Sequence, residues 1–337
     1  MTEPSWKRRR VTIKDIAAAA EVDPSTVTRA LQNSPRVRTA TREKIQQLAR
    51  EMGYVPNMAA RTLVTSRSSI VGLVLPDMTN PFFAELARGI EEEATKHGLR
   101  VLTRNTDGVE AAERDAIAFF TELKVDGLVI AMSRSTTEYF KTLETPVPVV
   151  HVNRDDLPHN VSCDRYAGSR QIVDHMLQVG HRRIALVTGP AGPAQQPKRT
   201  AYVDALDAHG IEYNPNYIFA FNGELQDTRR VVEELLALEH RPTAIFAWND
   251  LCALGLIRHL SLSGLRVPED ISVAGHDDIA IARFMDPPLS TVHWPMYELG
   301  QESIRYLYQL RQSLPAQSPN IPSPTVRLRG SIKTLKP

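Results

Sequence analysis

Apolar residues in the first sixty positions fall on three short helical stripes. Ile13, Ile16, Ala17 and Ala20 recur at i, i+3, i+4 and i+7, and Thr12 with Asp15 three positions on can cap that helix reciprocally. Asp23 followed by Pro24 marks a second start, an acidic N-cap and then a proline where its missing N–H costs nothing. Val27, Ala30 and Leu31 are the inner face of this second helix. Ser25, Thr26, Thr28 and Arg29 point elsewhere, and small polar residues at such an N-terminus suit the DNA major groove. Ile45, Leu48, Ala49 and Met52 form the third stripe, from about 39 to 52, ending at Gly53. The pattern predicts a small all-α helix-turn-helix head.

From residue 69 the period changes. Continuous apolar runs predict buried strands at 69–75, 100–103, 125–131 and 147–152, with helices at 82–97 and 111–123 between them. The rhythm restarts with helices at 166–179, 201–209, 228–238 and 251–263 and strands at 183–188, 216–220, 244–247 and 271–274. Units of this length are βαβ repeats, so the expected core is α/β, two doubly wound parallel-sheet subdomains with a ligand at the carboxyl ends of the strands between them.

Charge divides the chain as the periodicity does. Residues 1–67 hold thirteen Lys and Arg against six acids, a net of +7, and the rest carries −6. A basic head on an acidic body fits a nucleic-acid partner for the head alone. The basic run at 7–10 reads equally as a further contact or as a solvated tail. The N-terminus has no apolar stretch after its basic run and no window can cross a bilayer, so neither a signal peptide nor a membrane partner is expected and a cytoplasmic location is. Cys163 and Cys252 read as buried or incidental thiols. Asp155-Asp156, Asp277-Asp278 and the histidines His175, His181, His276 and His293 show no metal-ligand spacing, and no nucleophile elbow, phosphate loop or dinucleotide fingerprint is present. No enzyme, metal or cofactor is expected.

Three blocks at 22–29 (Val-Asp-Pro-Ser-Thr-Val-Thr-Arg), 41–44 (Thr-Arg-Glu-Lys) and 53–57 (Gly-Tyr-Val-Pro-Asn) resemble the lactose-repressor (LacI/GalR) family of bacterial regulators, in one register. The likeness continues through Pro76-Asp77, Asn80-Pro81-Phe82-Phe83, Gly180-His-Arg-Arg-Ile-Ala185, Asn249-Asp250, Gly275-His-Asp-Asp278 and Leu289-Ser-Thr-Val292. It implies a transcription regulator, most simply a repressor, that binds a palindromic double-stranded DNA operator as a homodimer. A small-molecule effector, a sugar or sugar derivative, would control it from the cleft. Activation and corepressor control remain alternatives, and a solute-binding protein is a remote one. The implied core is periplasmic-binding-protein-like, with chain crossings near 161, 290 and 319. The division is then a basic tail at 1–10, the head at 11–56, a hinge helix and linker at 57–67, an N-subdomain of 68–161 plus 291–318, and a C-subdomain of 162–290 plus 319–332. A last strand is expected at 325–332, leaving no room for the tetramerising heptad helix of some members. Helices starting near Phe82 and Asn249 could form the dimer surface or equally be intrachain core.

The resemblance also assigns residues. Pro24, Ser25 and Arg29 align with major-groove readers. Arg29 is read as a guanine fork or a phosphate contact, and Pro24 as a thymine-methyl contact or a shaper of the helix. Thr12, Thr26, Thr28 and Asn33 fall to phosphates. Tyr54 leads into the hinge that starts at Asn57, where Leu63 matches the minor-groove wedge or else is a linker residue docked on the core, and Ala60 lets two helices approach. Arg38 replaces a usual serine cap of the third helix, and Thr39 is expected to cap it instead. In the cleft, Phe82, Phe83, Asn153, Asn249 and Asp277 fall at ligand positions. Lys198 stands where the family has arginine, beside Arg199 and with Ala201 in place of glycine, and Gly223 where some members stack a tryptophan. Trp248 is either a replacement platform or a core aromatic.

Overall fold

A computed structural model describes residues 11–55, 67–190, 196–315 and 318–335. It divides into two compact units, Met1–Ser68 and Ser69–Pro337. The expected tail at 1–10 and nearly all of the expected hinge, with Asn57, Ala60 and Leu63, lie outside the described residues.

The first unit contains α1 (Ile13–Ala20), α2 (Pro24–Leu31) and α3 (Thr39–Glu51). Thr12 and Asp15 satisfy each other's backbone N–H at the start of α1, and Ser25 N donates to the Asp23 carboxylate at 2.8 Å at the start of α2. Helix α3 corrects the expected cap: Thr39 is its first residue, Arg38 precedes it, and Arg38 makes no side-chain cap. Ile16, Val27, Ala30 and Ile45 are fully buried, with Leu48 and Tyr54 packed partly over them.

In the second unit, β1 (Ile70–Leu75), α4 (Pro81–Lys96), β2 (Arg100–Asn105), α5 (Glu110–Glu122), β3 (Gly127–Ala131), α6 (Thr137–Thr142), β4 (Val149–Val152) and β5 (Asn160–Val161) build a sheet ordered β2-β1-β3-β4-β5. Its neighbours are all parallel. A second parallel sheet, ordered β7-β6-β8-β9, follows from α7 (Arg165–Gln178), β6 (Ile184–Thr188), α8 (Gln196–Ala208), β7 (Ile218–Ala220), α9 (Asp227–Leu236), β8 (Ala244–Phe246), α10 (Asp250–Leu262) and β9 (Ser272–Ala274). In each sheet the order reverses beside the first strand, which opens a crevice past the carboxyl ends.

The chain then continues as β10 (Thr291–His293), α11 (Met296–Arg311) and β11 (Thr325–Arg327). Strand β10 pairs antiparallel with β11 and continues the end of β9, Gly275 N donating to Ser290 O and Asp277 N to Val292 O, both at 2.9 Å. Helix α11 packs on α4, β3 and β4. A Cβ on Gly89 would lie 2.1 Å from the Tyr297 carbonyl oxygen, and one on Gly300 2.3 Å from that of Leu86, so α4 and α11 touch backbone to backbone. The last stretch returns to the second sheet, where Val273 N donates to Ser331 O and Leu335 N to Val179 O. The expected strand at 325–332 ends at Arg327, because Gly330 and Ser331 turn and the Ser331 hydroxyl donates to Val273 O at 2.6 Å. Phe82, Phe83, Leu86 and Ile90 of α4 and Cys252, Ala253, Leu256 and Leu260 of α10 are buried in the chain's own core. No helix among the described residues is long and apolar enough to cross a membrane.

Candidate functional site

Two surfaces stand out, one in each unit. On α2, Pro24, Ser25, Thr28 and Arg29 are spaced i, i+1, i+4 and i+5, on the side away from buried Val27 and Ala30. Pro24, Ser25 and Arg29 are exposed, and Thr26 and Thr28 partly so. The Thr28 hydroxyl donates to Pro24 O at 3.1 Å and keeps its lone pairs for a further donor. Exposed Asn33 follows α2 with φ at +56°, its side-chain oxygen accepting from Gln46 Nε2 at 2.8 Å. Thr12, also exposed, caps α1. Tyr54 lies against the head core rather than on this face. The surface is a rigid, capped N-terminal turn that presents hydroxyls and one guanidinium.

The second surface is a cavity of about 440 Å³ in the other unit. Its walls come from the residues just past the carboxyl ends of both sheets: Asp77 after β1, Met132 and Arg134 after β3, Phe221 after β7, Trp248 and Asn249 after β8, His276 and Asp277 after β9. Phe82, Phe83, Trp248 and Trp294 make the apolar part, with Phe82 meeting Trp294 edge to face at 5.9 Å. A Cβ on Gly189 would stand 2.2 Å from the Trp248 indole, so the ring lies flat on bare backbone.

Polar groups converge at depth. Lys198 is buried, and its Nζ donates to Ala247 O at 2.5 Å and Trp248 O at 2.8 Å and sits 3.8 Å from the Phe246 ring centre. Burial pushes this ammonium down to about 7, against the pull of Asp277. Burial likewise drives the Asp277 carboxyl well above the ordinary carboxylate range, opposed by Lys198 and a hydrogen bond from Asn80. Both groups are thereby drawn toward their neutral forms. Asp250, behind them, is raised to about 6 by burial while accepting from the Thr291 hydroxyl at 2.5 Å and Ile279 N at 2.9 Å. His276 is held neutral by burial, and since the Trp294 indole N–H donates to its Nε2 at 3.3 Å, its proton belongs on Nδ1. The Cys163 and Cys252 thiols are each pushed up to about 12 by burial. Among the described residues no cluster of His, Cys, Asp or Glu could hold a metal.

The cavity thus brings together Phe82, Phe83, Lys198, Trp248, Asn249 and Asp277. Asn249 also caps α10, accepting from Cys252 N at 2.8 Å. Asn153 is not among the residues that line this cavity: it is fully buried, with φ at +58°, and its side-chain oxygen accepts from Cys163 N at 3.4 Å. Sequence reasoning missed Arg134, Arg165, Ser169 and Trp294 in the wall. Trp294, just after β10, was the one with a signal, an aromatic directly past a crossing strand.

Comparison with known proteins agrees on both parts of the chain. Residues 12–57 match a model described as bacterial regulatory proteins, lacI family, and residues 173–332 one described as a periplasmic binding protein-like domain. The HTH-type transcriptional repressor CytR of Escherichia coli (strain K12) is 33% identical over 306 residues, covering 89% of this chain and 90% of that protein. The repressor PurR of Aliivibrio salmonicida (strain LFI1238) is 32% identical over 304 residues, covering 88% and 91%. Among solved structures, a lac repressor dimer bound to operator and the anti-inducer ONPF superposes with a TM-score of 0.88 at 26% identity, covering 96% of this chain and all of that one.

Proposed function

The chain belongs to the LacI family of bacterial regulatory proteins and is a DNA-binding transcription regulator, and from that premise we propose that it is a cytoplasmic repressor acting as a homodimer on a palindromic operator. The observation that carries this reading is the capped, exposed N-terminal turn of α2. Two copies place two such turns on half-sites. Arg29 is then the guanine reader, with Ser25 and Pro24 beside it and Thr12, Thr26, Thr28 and Asn33 on phosphates. Asn57, Ala60 and Leu63 are assigned to the hinge by sequence, Leu63 as the minor-groove wedge.

The cleft is the effector site, supported by aromatic walls around buried, convergent polar groups. A sugar derivative fits them: ring faces for Trp248 or Trp294, hydroxyls for Asp277 and Asn249. For the effector to govern DNA affinity it must bind two arrangements of the core unequally, by about 1–3 kcal/mol.

The test is binding-site selection from random duplexes followed by titration. A palindromic site is expected, and Arg29→Ala should relax preference at one base pair per half-site. Uniform weakening across all sequences would reduce Arg29 to a phosphate contact, and no selected site would defeat the operator reading. An effector that raises operator affinity would make it a corepressor.

A further inference from the structure

The cavity wall contains a buried cation whose hydrogen-bonding capacity the protein leaves partly unfilled. Arg165, the first residue of α7, lines the cavity and is only 8% exposed. Its Nη2 donates to Asp155 at 3.0 Å, but its Nε and Nη1 have no hydrogen-bond partner. Unmet buried donors are uncommon, because each gives up water with no replacement, and a charged donor gives up most. One turn further along α7, Ser169 lines the same wall, its hydroxyl 3.3 Å from His276 Nε2. Asp155 cannot turn fully to Arg165, since it also accepts from the Ser162 hydroxyl at 2.5 Å and Asn160 Nδ2 at 2.9 Å.

Other cations bear on the same corner of the cavity. Arg165 and Lys198 both bear on His276 and oppose its protonation. Arg134, on the first-sheet side, donates from Nη1 to Pro190 O on the second-sheet side at 3.3 Å. Of the four lining acids, Asp107 and Glu224 are exposed, Asp77 is engaged by the Thr79 N–H and hydroxyl, and Asp277 is held toward its neutral form.

We propose that the effector carries an oxyanion, a carboxylate or a phosphate, and that Arg165 receives it with Ser169 alongside. The inference rests on the cleft being the effector site and narrows the class from sugar derivatives to acidic ones. Guanidinium–oxyanion bonds are charge-assisted and about twice as strong as neutral ones, so an oxyanion gains most from the two idle donors.

Isothermal titration calorimetry of the whole protein tests this with matched probes: glucose, glucose 6-phosphate and glucuronate, then adenosine and adenosine monophosphate, then inorganic phosphate. At least one charged probe is expected to bind about tenfold or more tighter than its neutral parent. Arg165→Gln should abolish that preference and Arg165→Lys restore part of it. The glucuronate and phosphate arms tell carboxylate from phosphate. Neutral parents binding as tightly as charged ones, a preference that survives Arg165→Gln, or no charged probe binding at all would each overturn the proposal. Operator titration in parallel separates the two readings: a charged ligand that binds through Arg165 without changing DNA affinity upholds this inference and defeats the effector reading.

Discussion

The Lys198 ammonium donates to two main-chain carbonyls above the face of Phe246, inside a wall that also holds Asp277 and His276. Burial lowers it to about 7 from an ordinary 10.5. Between those values the unfolded chain binds a proton that the folded one does not, so this group's contribution to stability grows as pH rises across the interval. Asp250 has the opposite sign. Raised to about 6 from 3.8, it contributes stability that is complete below 3.8 and lost as pH climbs through 6. The cleft is therefore least favoured by its own charges near pH 6–7. Lys198→Met removes one of these two slopes. In urea titrations the stability gap between wild type and variant should move toward wild type from pH 7 to 9, by up to about 1.4 kcal/mol per pH unit. A gap that stays constant would mean Lys198 titrates normally. At this scale the sequence reveals which residue types are present but not their surroundings. Lys198 was recognisable by its alignment, whereas nothing in the sequence distinguishes Arg165 from any solvated arginine at a helix start, or shows that Asn153 is fully buried outside the cavity wall.

Helices α4 and α11 meet through Gly89 and Gly300, where an added methyl would enter a carbonyl of the facing helix. Backbone cannot yield as a side-chain tip can, so Gly300→Ala should destabilise the core by about 1–3 kcal/mol, read as a lowered urea midpoint at unchanged slope. A wild-type midpoint would show that the two helices separate freely. The strands Ile70–Leu75, Gly127–Ala131 and Ile184–Thr188 were legible because strands buried on both faces read as unbroken apolar runs. Short elements were not: α6 has six residues and β5 two, too few for any period to declare itself. Helix α8 begins five residues before its expected start at 201, because its first turns are polar in sequence although Lys198 lies buried within them.

Over the whole chain, 40 basic and 39 acidic residues nearly cancel, yet residues 1–67 hold a net +7. Neutral totals of this kind conceal a polyanion-binding end. Operator affinity should fall linearly on a log–log plot against salt, with a slope of about −0.9 for each phosphate neutralised. A flat profile in that titration would exclude the head as the phosphate-binding part. The architecture was more legible than the site: the change from helical to βαβ rhythm at residue 69 falls where the chain divides into its two units, while the cavity assembles from loops that follow eight different strands and follow no pattern along the chain.

Two of the three tryptophans, Trp248 and Trp294, form part of the cavity wall, and the third, Trp6, lies outside the described residues. One indole is pressed on Gly189 and the other donates to His276. Indole emission follows the polarity and hydrogen bonding around the ring. The protein therefore carries its own optical reporter, and occupancy of the cleft can be followed as a colour and intensity change with no dye, label or DNA present.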